Sequence, residues 1–188
     1  MSLKQEYKSN KSAGFTLVEL VTVIVLLGIL SVIAAPKFID FQHDARASVI
    51  KSIKGSLKSV HDMVYMKSTA QGNLSDLIGK TQIGNGQAID VHYGHPRTHW
   101  SATWQKVLEI NVEPREHGSK SAKCNTNKDF CVIFSVLHGT SGYTDDWTMY
   151  FVPKGFAVND SCYARYTLDV LTENKPHLIA FEDVTSGC

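Results

Sequence analysis

The sequence predicts an α+β protein in which a long N-terminal α-helix, apolar enough in its first half to span a membrane, packs against an antiparallel β-sheet head. Three observations predict it. Residues 15–35, FTLVELVTVIVLLGILSVIAA, form an apolar run of bilayer length, about 20 residues. An amphipathic helical stripe follows without a break. The second half of the chain then holds several short runs rich in β-branched and aromatic residues, separated by turn signals.

Composition narrows the function classes. The 188 residues suit one domain of ordinary size, and 43% hydrophobic residues are enough for a core. The net charge of +1 comes from 19 basic and 18 acidic side chains, a balance that argues against nucleic acid as a partner. Nothing in the sequence suggests a cofactor. Four cysteines, an even number, suit a disulfide framework in an exported chain.

Residues 1–14 are polar and cationic, with Lys4, Lys8 and Lys11 against Glu6, and have no apolar core. Lysines just before the apolar run place the N-terminus in the cytoplasm. An ordinary signal peptide fits poorly, because its apolar stretch of roughly 7–15 residues precedes the small-residue cut. Here the small residues Ala13 and Gly14 come first. Glu19 is the anomaly. An acidic side chain at the centre of a membrane helix costs about 2.5–3.5 kcal/mol, less in the first turn, and an unpaired carboxylate there needs a reason. A new N-terminal amine at Phe15 would supply a cation about one helical turn away.

Gly14-Phe15-Thr16-Leu17-Val18-Glu19, after a basic leader and before an unbroken apolar run, resembles the prepilin signal of type IV pilins and pseudopilins. The resemblance implies the type IV pilin fold and cleavage between Gly14 and Phe15 by prepilin peptidase. It also implies N-methylation of Phe15 and a role for Glu19 in registering subunits during assembly. It implies polymerisation with copies of the chain, driven by a machinery with an ATPase. The subunit would start as a single-pass inner-membrane protein and end in an extracellular pilus that meets surfaces, host cells or phage. The segment 35–46, APKFIDFQHDAR, with Lys54-Gly55 and Val64-Tyr65, is similar to the mannose-sensitive haemagglutinin (MSHA) subgroup, whose filaments adhere to surfaces. The strong similarity covers about residues 12–67 and fades to layout beyond.

The domain plan is a cleaved leader at 1–14, a helix at 15–67 with its membrane and assembly segment at 15–35, and a head at 68–188. Phe38, Phe41, Ala45, Val49, Ile53, Leu57, Val60 and Val64 form the expected stripe. At about 1.5 Å per residue the helix spans about 80 Å, its first half projecting and its second half lying on the head. Gly28 and Pro36 weaken it, by about 1 and about 3 kcal/mol in a helix interior. They mark either a tolerated kink, common in membrane helices, or a stretch from 28 to 36 that unwinds or bends when subunits pack, the reading that the proline of the pilin pattern supports.

Residues 68–86 read as the loop leaving the helix. Strands are expected at 88–93, 131–137, 147–152, 163–170 and 178–181, with turns at 140–146 and 153–155. Residues 98–112, with Trp100 and Trp104, read as a short helix or irregular structure. Cys124 and Cys131 flank a short polar stretch, and Cys162 and Cys188 enclose the last two strands. The natural pairing is 124–131 and 162–188, one of three connectivities, the second resembling the disulfide-bounded loop of pilin heads. A zinc site would lack a CxxC.

Three other patterns carry less. His92, His95 and His99 are candidate metal ligands, but Pro96 interrupts any helix that would align them. Residues 143–147 offer oxygens without calcium-loop spacing. Ser135, His138 and Asp145 or Asp146 can be assembled into a triad on paper, but no nucleophile-elbow motif surrounds Ser135. An enzyme is thus the class with least support. A minor pilin or type II secretion pseudopilin shares the N-terminus, although two cysteine pairs lean against a pseudopilin. A membrane-tethered ligand-binding domain that never polymerises is the alternative of another class.

Overall fold

The computed structural model describes residues 14–116, 118–134, 147–169 and 178–188, without the side chains of residues 35, 36 and 38–40. The chain divides into two units, Met1–Gln42 and His43–Cys188, each taken here by itself. A single helix, α1 (Leu17–Ala70), contributes to both, with acidic Glu19 in its first turn and basic Lys67 in its last. Both charges suit the helix dipole. The helical backbone continues through Gly28 and Pro36.

In the first unit the large apolar side chains from Leu17 to Ile33 are exposed. None of the stretch Leu17–Ala34 is buried, and it is long and apolar enough to cross a membrane. Its hydroxyls close on the helix itself. Thr22 donates to the Glu19 carbonyl at 3.0 Å and Ser31 to the Leu27 carbonyl at 2.7 Å. No hydroxyl proton is then left without an acceptor in an apolar medium.

In the second unit α1 buries Ala47, Ile50, Ile53, Leu57 and Val64. The expected stripe is therefore rotated at its start: Ala45 and Val49 are exposed, and Ala47 and Ile50 take their place. The reason is helical geometry. At 3.6 residues per turn, each four-residue step walks about 40° around the axis, so the run 45, 49, 53, 57 cannot keep to one face. A mixture of three- and four-residue steps can.

The described residues of the head form two sheets. The first has the order β1-β2-β3, from β1 (Gly79–Gly84), β2 (Gln87–His92) and β3 (His95–Pro96), all antiparallel. The second runs β4-β5-β6-β7-β8, from β4 (Val112–Glu116), β5 (Phe130–Phe134), β6 (Thr148–Pro153), β7 (Tyr163–Asp169) and β8 (Leu178–Val184). Its pairs are antiparallel except β4 with β5, which is parallel. The sheet is thus antiparallel with one parallel edge strand. Pro114 sits in that strand, an edge position where a missing N–H costs least.

One expectation is corrected, and one strand lies where the sequence predicts none. Residues 79–84 are a strand and not loop. Their inward positions are Gly79 and Thr81, so no apolar alternation marks them; Thr81 is instead tied to Ser68 of α1 by a buried hydroxyl pair at 2.6 Å. Residues 112–116, VEPRE, are a strand despite their charges and proline. The ambiguous stretch 98–112 holds one short 3-10 turn, Trp104–Lys106, and Trp104 donates its indole N–H to the Arg97 carbonyl at 2.8 Å.

The core follows from this layout. One face of the large sheet, through Val132, Phe134, Met149, Phe151, Ala164, Tyr166 and Leu168, packs with Ile50, Ile53 and Leu57 of α1 and with both buried tryptophans. On β7 the pattern alternates strictly, as expected of a strand with one covered face. The central strands β5 and β6 bury residues on both faces. Their second face carries Cys131, Ile133, Tyr150 and Val152 against Cys124 and Val158. A smaller cluster, Val64, Ile89 and Val91, packs the first sheet onto α1. The turn expected at 140–146, the paper triad of Ser135, His138, Asp145 and Asp146, and residues 143–146 of the calcium candidate lie outside the described residues.

Candidate assembly site

The helix start is built by its own sequence. Thr16 precedes the first helical residue, Leu17, and Glu19 stands three positions on. The Glu19 carboxylate accepts from the Thr16 backbone N–H at 2.8 Å and from its hydroxyl at 2.7 Å. In return the Glu19 N–H donates to the Thr16 hydroxyl oxygen at 3.3 Å. This is a capping box, which satisfies two of the N–H groups a helix start leaves open. The Thr-x-x-Glu spacing is legible in the sequence, where Glu19 draws notice as a lone charge. Phe15, just outside the helix, is 84% exposed. Among the described residues, the first unit therefore presents an exposed aromatic, a carboxylate held within one turn of it, and an apolar helical surface that nothing covers.

Gly28 lies mid-helix, and a Cβ built there meets nothing within 4 Å. No local contact excludes a larger residue, so its absence of side chain is not explained by packing within the subunit.

In the second unit the structure joins Cys124 to Cys131 and Cys162 to Cys188, with Cα separations of 5.6 and 4.8 Å, both ordinary for disulfides. Both bridges are buried. The C-terminal segment is further fixed by the Gly187 N–H on the Ser161 carbonyl at 3.0 Å and by the Arg46 guanidinium donating to the Cys188 carbonyl. A Cβ on Gly187 would fall 1.7 Å from the Asp160 carbonyl oxygen, so only glycine fits this approach. Lys54 of α1 pairs with Asp183 of β8. Arg46 and Lys54 thus tie the helix to the end of the chain, a role their composition alone does not reveal.

The three histidines of the 92–99 segment are not brought together. His92 is buried with Nδ1 on the Leu77 carbonyl. His95 Nδ1 meets His61 Nε2 at 3.0 Å, and His99 Nδ1 accepts from the Ala102 N–H at 3.0 Å. Among the described residues there is no group of three or more His, Cys, Asp or Glu placed to hold a metal ion.

Comparison with known proteins bears on part of the chain. Residues 9–35 match the family described as the prokaryotic N-terminal methylation motif. The chain is 37% identical over 58 residues to the type IV narrow pilus major component PilA5 of Thermus thermophilus, covering 31% of this chain and 50% of that protein. It is 32% identical over 69 residues to the type IV major pilin protein PilA of Myxococcus xanthus, covering 37% and 31%. It is also 28% identical over 82 residues to prepilin peptidase-dependent protein A of Clostridium perfringens, covering 44% and 59%. The matches span about half or less of the length of the first two. No solved structure matches.

Motif and fold together define a type: the chain carries an N-terminal methylation motif and has a type IV pilin-like fold, with a long apolar helix and a sheet head. Two of these relatives are type IV pilus proteins by name, and the similarity of this chain to them is confined to part of its length.

Proposed function

We propose that the chain is a structural subunit of a type IV pilus, of the MSHA type, that polymerises through its N-terminal helix into an extracellular filament for adhesion and surface attachment. The observation that carries this reading is the uncovered apolar surface of Leu17–Ala34, with none of it buried in the subunit. Such a surface needs lipid or other helices around it. The subunit starts in the inner membrane and ends in the filament, so it exchanges lipid for neighbouring helices. Both surroundings are apolar, and burial alone does not drive the exchange. Helix packing, charge pairing and an assembly ATPase do.

Each site residue has a part in this scheme. Prepilin peptidase cuts between Gly14 and Phe15, and Phe15 is N-methylated. The Glu19 carboxylate, held in place by Thr16, pairs with the Phe15 amine of a neighbouring subunit and sets its register. The stretch from Gly28 to Pro36, weak in helix propensity, bends or unwinds as subunits pack. The disulfides between Cys124 and Cys131 and between Cys162 and Cys188 hold the head in an oxidising exterior. The adhesive target lies among surfaces, host cells and phage; the mechanism is assembly and not turnover.

Immunogold electron microscopy with antibody against the head tests the reading. Labelling along the whole filament is expected. Labelling at tips alone would make the chain a minor pilin, and labelling of membranes without filaments would make it a tethered domain.

A further inference from the structure

Where α1, the small sheet and the large sheet meet, two histidines face each other. His61 of α1 is 6% exposed, and its Nε2 lies 3.0 Å from Nδ1 of His95 on β3. Its Nδ1 lies 3.1 Å from an Asp62 carboxylate oxygen. The two imidazoles are nearly parallel, 8° apart, with centroids at 5.2 Å. Tyr65, one turn along α1, stacks on His95 at 4.5 Å, and Phe181 of β8 sets its edge against His61 at 5.2 Å. The next residue, Pro96, accepts the buried Tyr166 hydroxyl of β7 at 2.8 Å. β3 is thereby clipped to α1 through His95 and to the large sheet through Pro96.

The backbone is shaped for this contact. Tyr93 and Gly94, which turn β2 into β3, both have positive φ, 47° and 83°. A Cβ on Gly94 would come within 2.4 Å of the Leu74 side chain and 3.2 Å of Ser68 on α1. Only glycine lets the turn approach the helix closely enough to bring His95 to His61.

We propose that His61 and His95 form an acid-sensitive latch that holds the β1–β3 sheet on α1 at neutral pH and releases it when the pair takes up a second proton. The hydrogen positions follow from the partners. A carboxylate only accepts, so His61 carries its hydrogen on Nδ1 and offers a lone pair at Nε2. His95 must then donate from Nδ1. One extra proton on the pair still leaves a single hydrogen between the facing nitrogens. A second puts N–H against N–H, with two positive charges in one partly buried site.

The surroundings set the direction. Among the described residues, Asp62 and Tyr65 from α1, the Tyr166 ring from β7 and the Phe181 ring from β8 face the pair, and the Tyr166 hydroxyl is engaged by the Pro96 carbonyl. Asp183, further along β8, is engaged with Lys54. Burial lowers the His61 pKa below the ordinary histidine value, outweighing the Asp62 carboxylate that raises it. A depressed folded-state pKa contributes stability that is present above the unfolded value of about 6.5 and lost as pH falls through the lower folded value. Tyr166 stays neutral throughout, because burial raises its pKa well above the ordinary tyrosine value.

The test is amide hydrogen exchange on the full chain in non-ionic detergent micelles at about pH 7.5 and about pH 5, corrected for intrinsic rates. Protection across residues 79–96 should fall about tenfold or more at the lower pH, while β5–β7 hold theirs. In His95→Asn the side-chain amide keeps a donor toward His61 and rotates to an acceptor when His61 is protonated, so the acid-induced loss should vanish. Equal loss in both proteins, or none in the wild type, overturns the proposal. Should the variant not fold, NMR titration of the wild-type imidazoles decides instead. Two separated protonations, the second well below the first, support the latch; two independent titrations at the ordinary histidine value overturn it.

Discussion

Replacing Cys162 and Cys188 together by alanine removes the cross-link that closes the end of the head. The two cysteines are 26 apart in sequence, and the chain-entropy relation puts the lost restraint on the unfolded state at about 3.5 kcal/mol. Cys124 and Cys131 are 7 apart, and the same relation gives about 2.4 kcal/mol. Both bridges are buried and both variants lose two sulfurs, so the cavity costs largely cancel in the comparison. The difference of about 1 kcal/mol is therefore the sharper quantity. Urea unfolding followed by tryptophan fluorescence measures it, since Trp100 and Trp104 lie in the same core cluster as the Cys162–Cys188 bridge. The expected order is wild type, then the Cys124/Cys131 variant, then the Cys162/Cys188 variant. Equal or reversed losses with unchanged m-values would refute the reasoning, as would a loss under about 1 kcal/mol for the longer loop.

Leu57, fully buried between α1 and the large sheet, should cost about 2–5 kcal/mol on truncation to alanine, read by the same unfolding curve. Gly94→Ala should destabilise the head by about 1–3 kcal/mol and lower exchange protection first in the β1–β3 sheet, because the site combines positive φ with a crowded approach to α1. Glu19→Gln should leave head stability unchanged and weaken the helix start by about 1 kcal/mol or less, while filament yield falls sharply; filaments at wild-type yield would separate Glu19 from assembly. Gly28→Ala should raise subunit helicity by about 1 kcal/mol at an open position, yet reduce filament yield if the stretch must unwind; a filament reconstruction with unbroken helix hydrogen bonds from Gly28 to Pro36 would remove that part of the scheme.

What could be read in advance was what is local. The prepilin motif, the apolar run and the helix all depend on neighbours within one or two turns, and the structure has the helix at Leu17–Ala70. Strands with buried β-branched and aromatic residues, such as β6 and β7, announced themselves. Those whose partners supply the chemistry did not. β1 turns Gly79 and Thr81 inward because Ser68 waits there, and β4 pairs in parallel through backbone bonds that VEPRE does not advertise. His95 stands beside His92 and His99 in sequence, whereas the fold sets it against His61, 34 residues away on another element. Glu19 stood out as an isolated charge, and its capping bond to Thr16 needed only the three-residue spacing to be weighed.

The central claim is that a processed chain assembles through its apolar helix, and N-terminal mass spectrometry of material sheared from the cell surface tests it most directly. The account predicts an abundant mature chain beginning with N-methylated Phe15. A chain retaining residues 1–14, or a processed chain confined to membranes, would contradict it.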